Sequence, residues 1–337
     1  MKAIGYRTPG AIDRADALED IELPRPVPTG RDLLVAVRAV SVNPVDTKVR
    51  RSARPADDGW KVLGWDAVGE VVEVGDEVVG FKPGDDVFYA GSIARPGSNS
   101  EFHLVDERIV GMKPASLSDA EAAALPLTAL TAWEMLFDRI DVARPVPGAA
   151  NAVLIVGGAG GVGSIAIQLA RALTQLTVIA TASRPETEAW VRELGAHHVI
   201  DHSRPLAEQV AALGIGAPAF VFSTTETTRH LSEIVELIAP QGRFGLIDDP
   251  DALDVTPFKR KAISIHWELM FTRSIFQTAD MGEQGRILGQ VAQLIDERRV
   301  RTTATSTLTP INAANLRQAH ALLESGRSRG KVVLEGF

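Results

Sequence analysis

The residue types best suited to chemistry cluster in one glycine-rich stretch, IVGGAGGVGS at 155–164. Read as GxGxxG, it places Gly158, Gly160 and Gly163 at the three fingerprint positions, with Gly161 and Val162 between them. Gly158 allows a tight turn, Gly160 lets a pyrophosphate approach the backbone, and Gly163 lets the following helix pack closely on the preceding strand. The helix start then offers N–H donors and the positive end of its dipole to phosphate. About 20 residues further on, an acid would take the ribose 2′-hydroxyl of NAD. The chain instead reads ATASRPE there, with Thr181, Ser183 and Arg184. Hydroxyls beside a guanidinium suit a 2′-phosphate, so the expected cofactor is NADP(H).

Other chemistries drop out. The chain has no cysteine, which removes disulfides, thiolate nucleophiles and every cysteine-based zinc site. Its seven histidines form no HExxH, and no metal is expected. Neither tyrosine, Tyr6 or Tyr89, has a lysine four residues later, so the Tyr/Lys acid pair of short-chain dehydrogenases is excluded. Asp85/Asp86 and Asp248/Asp249 read as turn formers, and GRSRGKV (326–332) as a P-loop decoy with no Ser or Thr after its lysine. A net charge of −8 argues against nucleic acid as a partner. There is no run of 18 apolar residues for a membrane span and no apolar signal-peptide core at the N-terminus. The expectation is a cytoplasmic protein with a small-molecule partner.

The elements that must position these residues fall into two patterns. Residues 1–126 read as short strands and turns: LLVAVRAVSVN (33–43), VGEVVEVGDEV (68–78) and FKPGDDVFYAG (81–91). Residues 119–137 are helical in composition, with a proline at 126. From 151 onward strands alternate with helices: NAVLIV, then GVGSIAIQLARAL, LTVIATA, ETEAWVREL, HHVID, PAFVFS, RHLSEIVELIAP and RFGLID. That alternation predicts a parallel sheet with helices on both faces. Beyond 273 come two amphipathic helices (285–299 and 311–326) and a terminal strand.

This order resembles the medium-chain dehydrogenase/reductase superfamily. SVNPVDTKVR (41–50), LGWDAVGEVVEVGDEV (63–78), LPLTALTAWEML (125–136) and GGAGGVGSIAIQLA (157–170) resemble its quinone oxidoreductase branch, in particular the zinc-type alcohol dehydrogenase-like subgroup. The resemblance implies an α/β fold. A GroES-like β-rich substrate domain would be built from 1–126 and 274–337. A Rossmann doubly wound parallel-sheet domain would span 127–273, with the active site in the cleft. Where zinc alcohol dehydrogenases carry Cys, His and Cys, this chain has Asn43, Trp65 and Leu127. By the same resemblance Asn43 and Thr131 lie near the nicotinamide, and Ser183, Arg184 and His202 surround the 2′-phosphate. Trp65 and Tyr89 line the substrate pocket. Subunits would pair through strands within 243–267 into a homodimer or a dimer of dimers. Asn43 could otherwise cap the turn before Pro44, Thr131 could bond back to its own helix, and Trp65 and Tyr89 could be core.

The implied function is NADPH-dependent hydride transfer to a quinone or an α,β-unsaturated carbonyl, without zinc. Either water or the Tyr89 hydroxyl would supply the proton. The alternatives are a zinc alcohol dehydrogenase and a non-catalytic NADPH-binding protein.

Overall fold

The computed structural model describes residues 1–55 and 59–337. Two compact units emerge: Met1–Leu130 with Phe271–Phe337, and Thr131–Met270. The chain thus crosses between units a few residues from 126/127 and 273/274.

The first unit is β-rich. Its main sheet follows the order β15 (Ala304–Leu308), β16 (Lys331–Glu335), β3 (Asp32–Ser41), β5 (Ala67–Val74), β6 (Asp86–Tyr89), β8 (Val110–Met112), and β7 (Phe102–Asp106) pairs with β3. A second sheet joins β2 (Glu19–Glu22), β1 (Lys2–Tyr6) and β4 (Lys61–Val62). Helix α9 (Glu283–Asp296) turns Ile287, Leu288, Val291 and Ile295 inward, and α10 (Ala313–Glu324) buries Leu316, Ala319 and His320.

Two local expectations need correction. The 1–126 stretch is not all strand and turn: helix α1 (Pro44–Ser52) starts at the N-cap Asn43, because Pro44 at the first helical position has no N–H to leave unsatisfied. The helical stretch 119–137 is not one helix. It divides into α2 (Asp119–Ala123) and α3 (Pro126–Trp133), since Pro126 cannot donate back into the preceding turn. It then continues as a π-helical turn, Glu134–Arg139.

The second unit holds a six-stranded parallel sheet in the order β11 (His198–Ile200), β10 (Thr177–Thr181), β9 (Ala150–Val156), β12 (Pro218–Ser223), β13 (Arg243–Leu246), β14 (Ser264–Trp267). Helices α4 (Gly161–Leu173), α5 (Pro185–Glu193), α6 (Leu206–Ala212) and α7 (Thr227–Leu237) connect the strands. This is the doubly wound Rossmann arrangement. The order reverses between β9 and β12, the place where such sheets take nucleotides. Leu154, Val156, Ile179, Val221, Ile234 and Phe244 form part of one buried cluster over the sheet.

Among the described residues no helix is long and apolar enough to cross a membrane.

Candidate functional site

The loop after β9 is shaped from within. Gly157 adopts φ +78°, and its N–H donates to Thr181 Oγ1 at 2.9 Å, while Gly158 N–H donates to the Thr181 carbonyl at 3.2 Å. Thr181 is therefore corrected from a 2′-phosphate contact to a support of the loop: it is fully buried and its hydroxyl oxygen serves Gly157. The three fingerprint glycines differ in what requires them. A Cβ at Gly163 would stand 2.3 Å from Gly157 O, and one at Gly158 2.9 Å from Ala180 Cβ, so the fold itself excludes side chains at both. A Cβ at Gly160 would meet only Gly157 O, at an ordinary 3.4 Å. Packing leaves Gly160 open, as a cradle for a ligand must be. Gly160 is also the N-cap of α4 and brings no capping side chain. The N–H groups of Gly161, Val162 and Gly163 thus face the cradle without intrahelical acceptors. A pyrophosphate fits these residues.

The ends of β10 and β11 bring the next group together. Thr181 pairs with Ile200 in parallel register, so Ser183 and His202, each two residues on, become neighbours. Ser183 Oγ lies 3.0 Å from His202 Nε2. Burial, opposed by Asp201 and reinforced by the fields of Arg229 and Arg184, holds His202 below the usual imidazole range. Arg184 is the N-cap of α5, with Pro185 fixing the helix start, and its Nε lies 3.3 Å from Glu186. No acid takes the NAD position; Glu186 belongs to Arg184. Arg229, in the first turn of α7, is a cation the sequence reading missed.

The first unit contains a buried polar centre. Asp66 is completely buried and gathers four donors: Ser41 Oγ (2.8 Å), Asn43 Nδ2 (2.7 Å), Leu127 N–H (2.7 Å) and Lys331 Nζ (3.0 Å). Lys331 Nζ also donates to Val42 O at 2.9 Å and to Asn43 Oδ1. Asp46 accepts from the backbone of Asn43 (2.8 Å) and Gly64 (2.9 Å), and burial pushes its carboxyl up to about 7. Asn43 stands at the head of α1, but its carboxamide turns to Asp66 and Lys331 and does not cap the helix. Lys331, part of the P-loop decoy, is the buried counter-ion of this centre.

Tyr89 is corrected as proton donor and as pocket wall. It is 1% exposed and stacks on His103, with ring centroids 5.5 Å apart. His103 Nε2 lies 3.0 Å from the Pro96 carbonyl, which only accepts, so Nδ1 takes the Tyr89 hydroxyl proton at 3.0 Å. Burial holds His103 down at about 4 and raises Tyr89 above the ordinary phenol range. Trp65 is also buried, its N–H donating to Ser92 O at 3.2 Å and its ring edge-on to Phe271. It has only ring surface to offer a ligand. Thr131 is buried in α3, where the second unit begins.

One turn past Thr131, sequence reading missed a charged cluster. Arg139 Nε donates to Glu268 at 2.6 Å and its Nη2 lies 3.9 Å from Glu134; both acids are buried. Burial, then Glu134, pushes Glu268 up to about 8.

Zinc does not fit the donors present: at the positions that the resemblance matches to its ligands, Asn43, Trp65 and Leu127 offer no thiolate, imidazole or carboxylate, and no set of three His, Cys, Asp or Glu side chains that could hold a metal occurs among the described residues.

The alcohol dehydrogenase GroES-like domain family matches residues 29–123, and the zinc-binding dehydrogenase family matches 194–334. A zinc-type alcohol dehydrogenase-like protein of Staphylococcus aureus (strain MSSA476) is 39% identical over 336 residues, 99% of each chain. A solved structure from Rhizobium etli CFN 42, provisionally described as a zinc-dependent alcohol dehydrogenase protein, is 69% identical with a TM-score of 0.99, covering 100% of this chain and 98% of that one. The quinone oxidoreductase of Coxiella burnetii is 27% identical with a TM-score of 0.81, covering 100% and 99%.

Proposed function

Since this chain belongs to the medium-chain dehydrogenase/reductase superfamily, we propose that it is a zinc-independent, NADPH-dependent reductase of quinones or α,β-unsaturated carbonyls. The observation that carries this reading is the end of β10, where Ser183 meets His202 beside Arg184 beyond an open Gly160 cradle, and where the chain has Ser183 and Arg184 in place of the acid that would take an NAD ribose. The bound nicotinamide supplies the hydride. The protein's own part is to hold and orient. The N–H groups of Gly161, Val162 and Gly163 take the pyrophosphate. Arg184 and Ser183 favour the 2′-phosphate through charge-assisted bonds. Asn43 is as buried as Tyr89, but one of its two N–H groups is left over from Asp66, and that N–H is the donor assigned to an oxygen that gains charge. A quinone or enone spreads that charge itself, as a ring anion or an enolate, so it suits a site without a Lewis acid. Thr131 is the second residue assigned to the reacting end. The proton comes from water, because the Tyr89 hydroxyl is committed to His103.

The proposal includes a homodimer paired through β14. That strand ends the sheet, and Trp267 and Leu269 beside it are 51% and 53% exposed. The test is NADPH and NADH titration, then NADPH oxidation at 340 nm with quinones and enones. Tight NADPH binding with turnover supports the reading; binding without turnover across the panel points to a non-catalytic NADPH-binding protein. Equal affinity for both cofactors removes the argument from Arg184.

A further inference from the structure

Among the buried polar clusters outside the phosphate loop are Arg50 with Glu324 and His320, Arg139 with Glu134 and Glu268, and Lys331 with Asp66 and Asn43. Only the last includes a residue assigned to the reaction.

We infer that Lys331 is a positioning residue that fixes the Asn43 carboxamide, so that its second N–H is the group turned to a bound ligand. The two ends of a primary amide have nearly the same shape, and its neighbours decide which way it faces. Here they decide by charge. An ionised carboxylate only accepts and an ammonium only donates. Asn43 lies between the two, so its nitrogen must face Asp66 and its oxygen Lys331. Lys331 has no slack to allow another arrangement. Its three N–H groups go to Val42 O, Asn43 Oδ1 and Asp66 Oδ2, and the side chain is 3% exposed. The Asn43 oxygen is thereby turned to the ammonium, and one of its two N–H groups is on Asp66. The second N–H is the only donor left to offer. Without the ammonium, Asp66 alone orients the carboxamide, its oxygen loses its charged partner, and its N–H groups exchange more readily.

The same ion pair ties down a second position. Asp66 holds the Leu127 N–H as well as Asn43, and these are two of the three positions matched to zinc ligands. In this chain a fixed pair of side-chain charges keeps them in place.

The catalytic arm of the test rests on the proposed reductase activity; a second arm does not. In the first, kcat for NADPH oxidation with 1,4-benzoquinone is measured for the native chain, Asn43→Leu, Lys331→Met and the double variant. Either single substitution should lower kcat at least tenfold while KM for NADPH stays within twofold. The double variant should be no slower than the slower single one, because Lys331 acts through Asn43. Effects that multiply overturn the inference, since a residue that only supports the fold acts independently of Asn43. In the second arm, the Asn43 side-chain amide is followed by nitrogen-15 NMR in protein labelled at asparagine. Its proton exchange should quicken at least tenfold in Lys331→Met, and unchanged exchange overturns the inference whether or not a quinone is reduced. No turnover by the native chain sinks the reductase reading alone, and the exchange arm still decides for or against Lys331. If Lys331→Met does not fold, Lys331→Met/Asp66→Asn, which removes both buried charges together, takes its place in both arms.

Discussion

Glu268→Gln should stabilise the protein at pH 9 and change little in mild acid. The native side chain is inaccessible to solvent, as is nearly all of Glu134, and Arg139 is the cation that bonds it. Two carboxylates against one guanidinium leave surplus negative charge in the interior. A proton on Glu268 removes it, and so burial and Glu134 together lift its pKa from an ordinary 4.5 to about 8. The folded state binds that proton more tightly than the unfolded chain. The stabilisation is complete below about pH 4.5, erodes as pH rises, and is gone above about 8. Each pKa unit is worth about 1.4 kcal/mol, so the native chain should lose about 2–3 kcal/mol from this group between pH 6 and pH 9. Glutamine stays neutral throughout. Its oxygen can accept from Arg139 and its N–H can donate to Glu134, which keeps the contacts of the protonated acid. Asp46, pushed up to about 7, titrates in both proteins and cancels in the comparison. Urea denaturation of both proteins from pH 5 to pH 9 makes the measurement. The stability difference should widen in favour of the variant by about 2–3 kcal/mol between pH 6 and pH 9. A difference that does not change with pH would refute the shared-proton argument, and so would a variant less stable than the native chain at pH 9.

Other substitutions probe the cofactor site. Arg184→Ala should weaken NADPH at least tenfold in calorimetric titration and leave NADH nearly unchanged, since one charge-assisted bond is worth roughly 1.5–3 kcal/mol; equal losses for both cofactors would count against the 2′-phosphate contact. Gly160→Val should fold normally yet lose NADPH binding, because the fold leaves that Cβ open. Gly163→Ala should instead lower the melting temperature, because its Cβ would stand 2.3 Å from Gly157 O. Retained cofactor binding in the first variant, or an unchanged melting curve in the second, contradicts this division of roles. Elemental analysis should find no stoichiometric zinc, and EDTA should leave quinone or enone reduction unchanged. One zinc per chain with chelator-sensitive alcohol oxidation overturns the zinc-free reading.

Local pattern made the nucleotide loop legible in the sequence. A strand, a glycine turn and a helix lie within 155–173, and α4 begins and ends where the 3.6-residue periodicity puts it. Asn43 was legible only through resemblance, and its orientation was not legible at all. The groups that set it, Asp66 and Lys331, lie 23 and 288 residues away in the chain. Lys331 carries no local signal beyond a glycine-flanked lysine. Nothing in the segments around Glu134 and Glu268 reveals that β14 delivers one to the other. Tyr89 looked available as a lone hydroxyl until β7 placed His103 against it. In each case long-range pairing in the folded sheets decided the chemistry, and periodicity does not record it.

The first unit is assembled from both ends of the chain, and this constrains the order in which the protein can be made. Its strand β16, inserted between β15 and β3, is synthesised after both of its neighbours. The second unit is one continuous segment and can fold while the ribosome is still translating. The first unit has to wait with a gap in its sheet and with the Asp66 carboxylate lacking a lysine encoded 265 residues later. A product cut short before Lys331 would thus hold a finished second unit and an unclosed sheet in the first, with exposed strand edges on either side of the gap. Such a product is a natural target for cellular quality control.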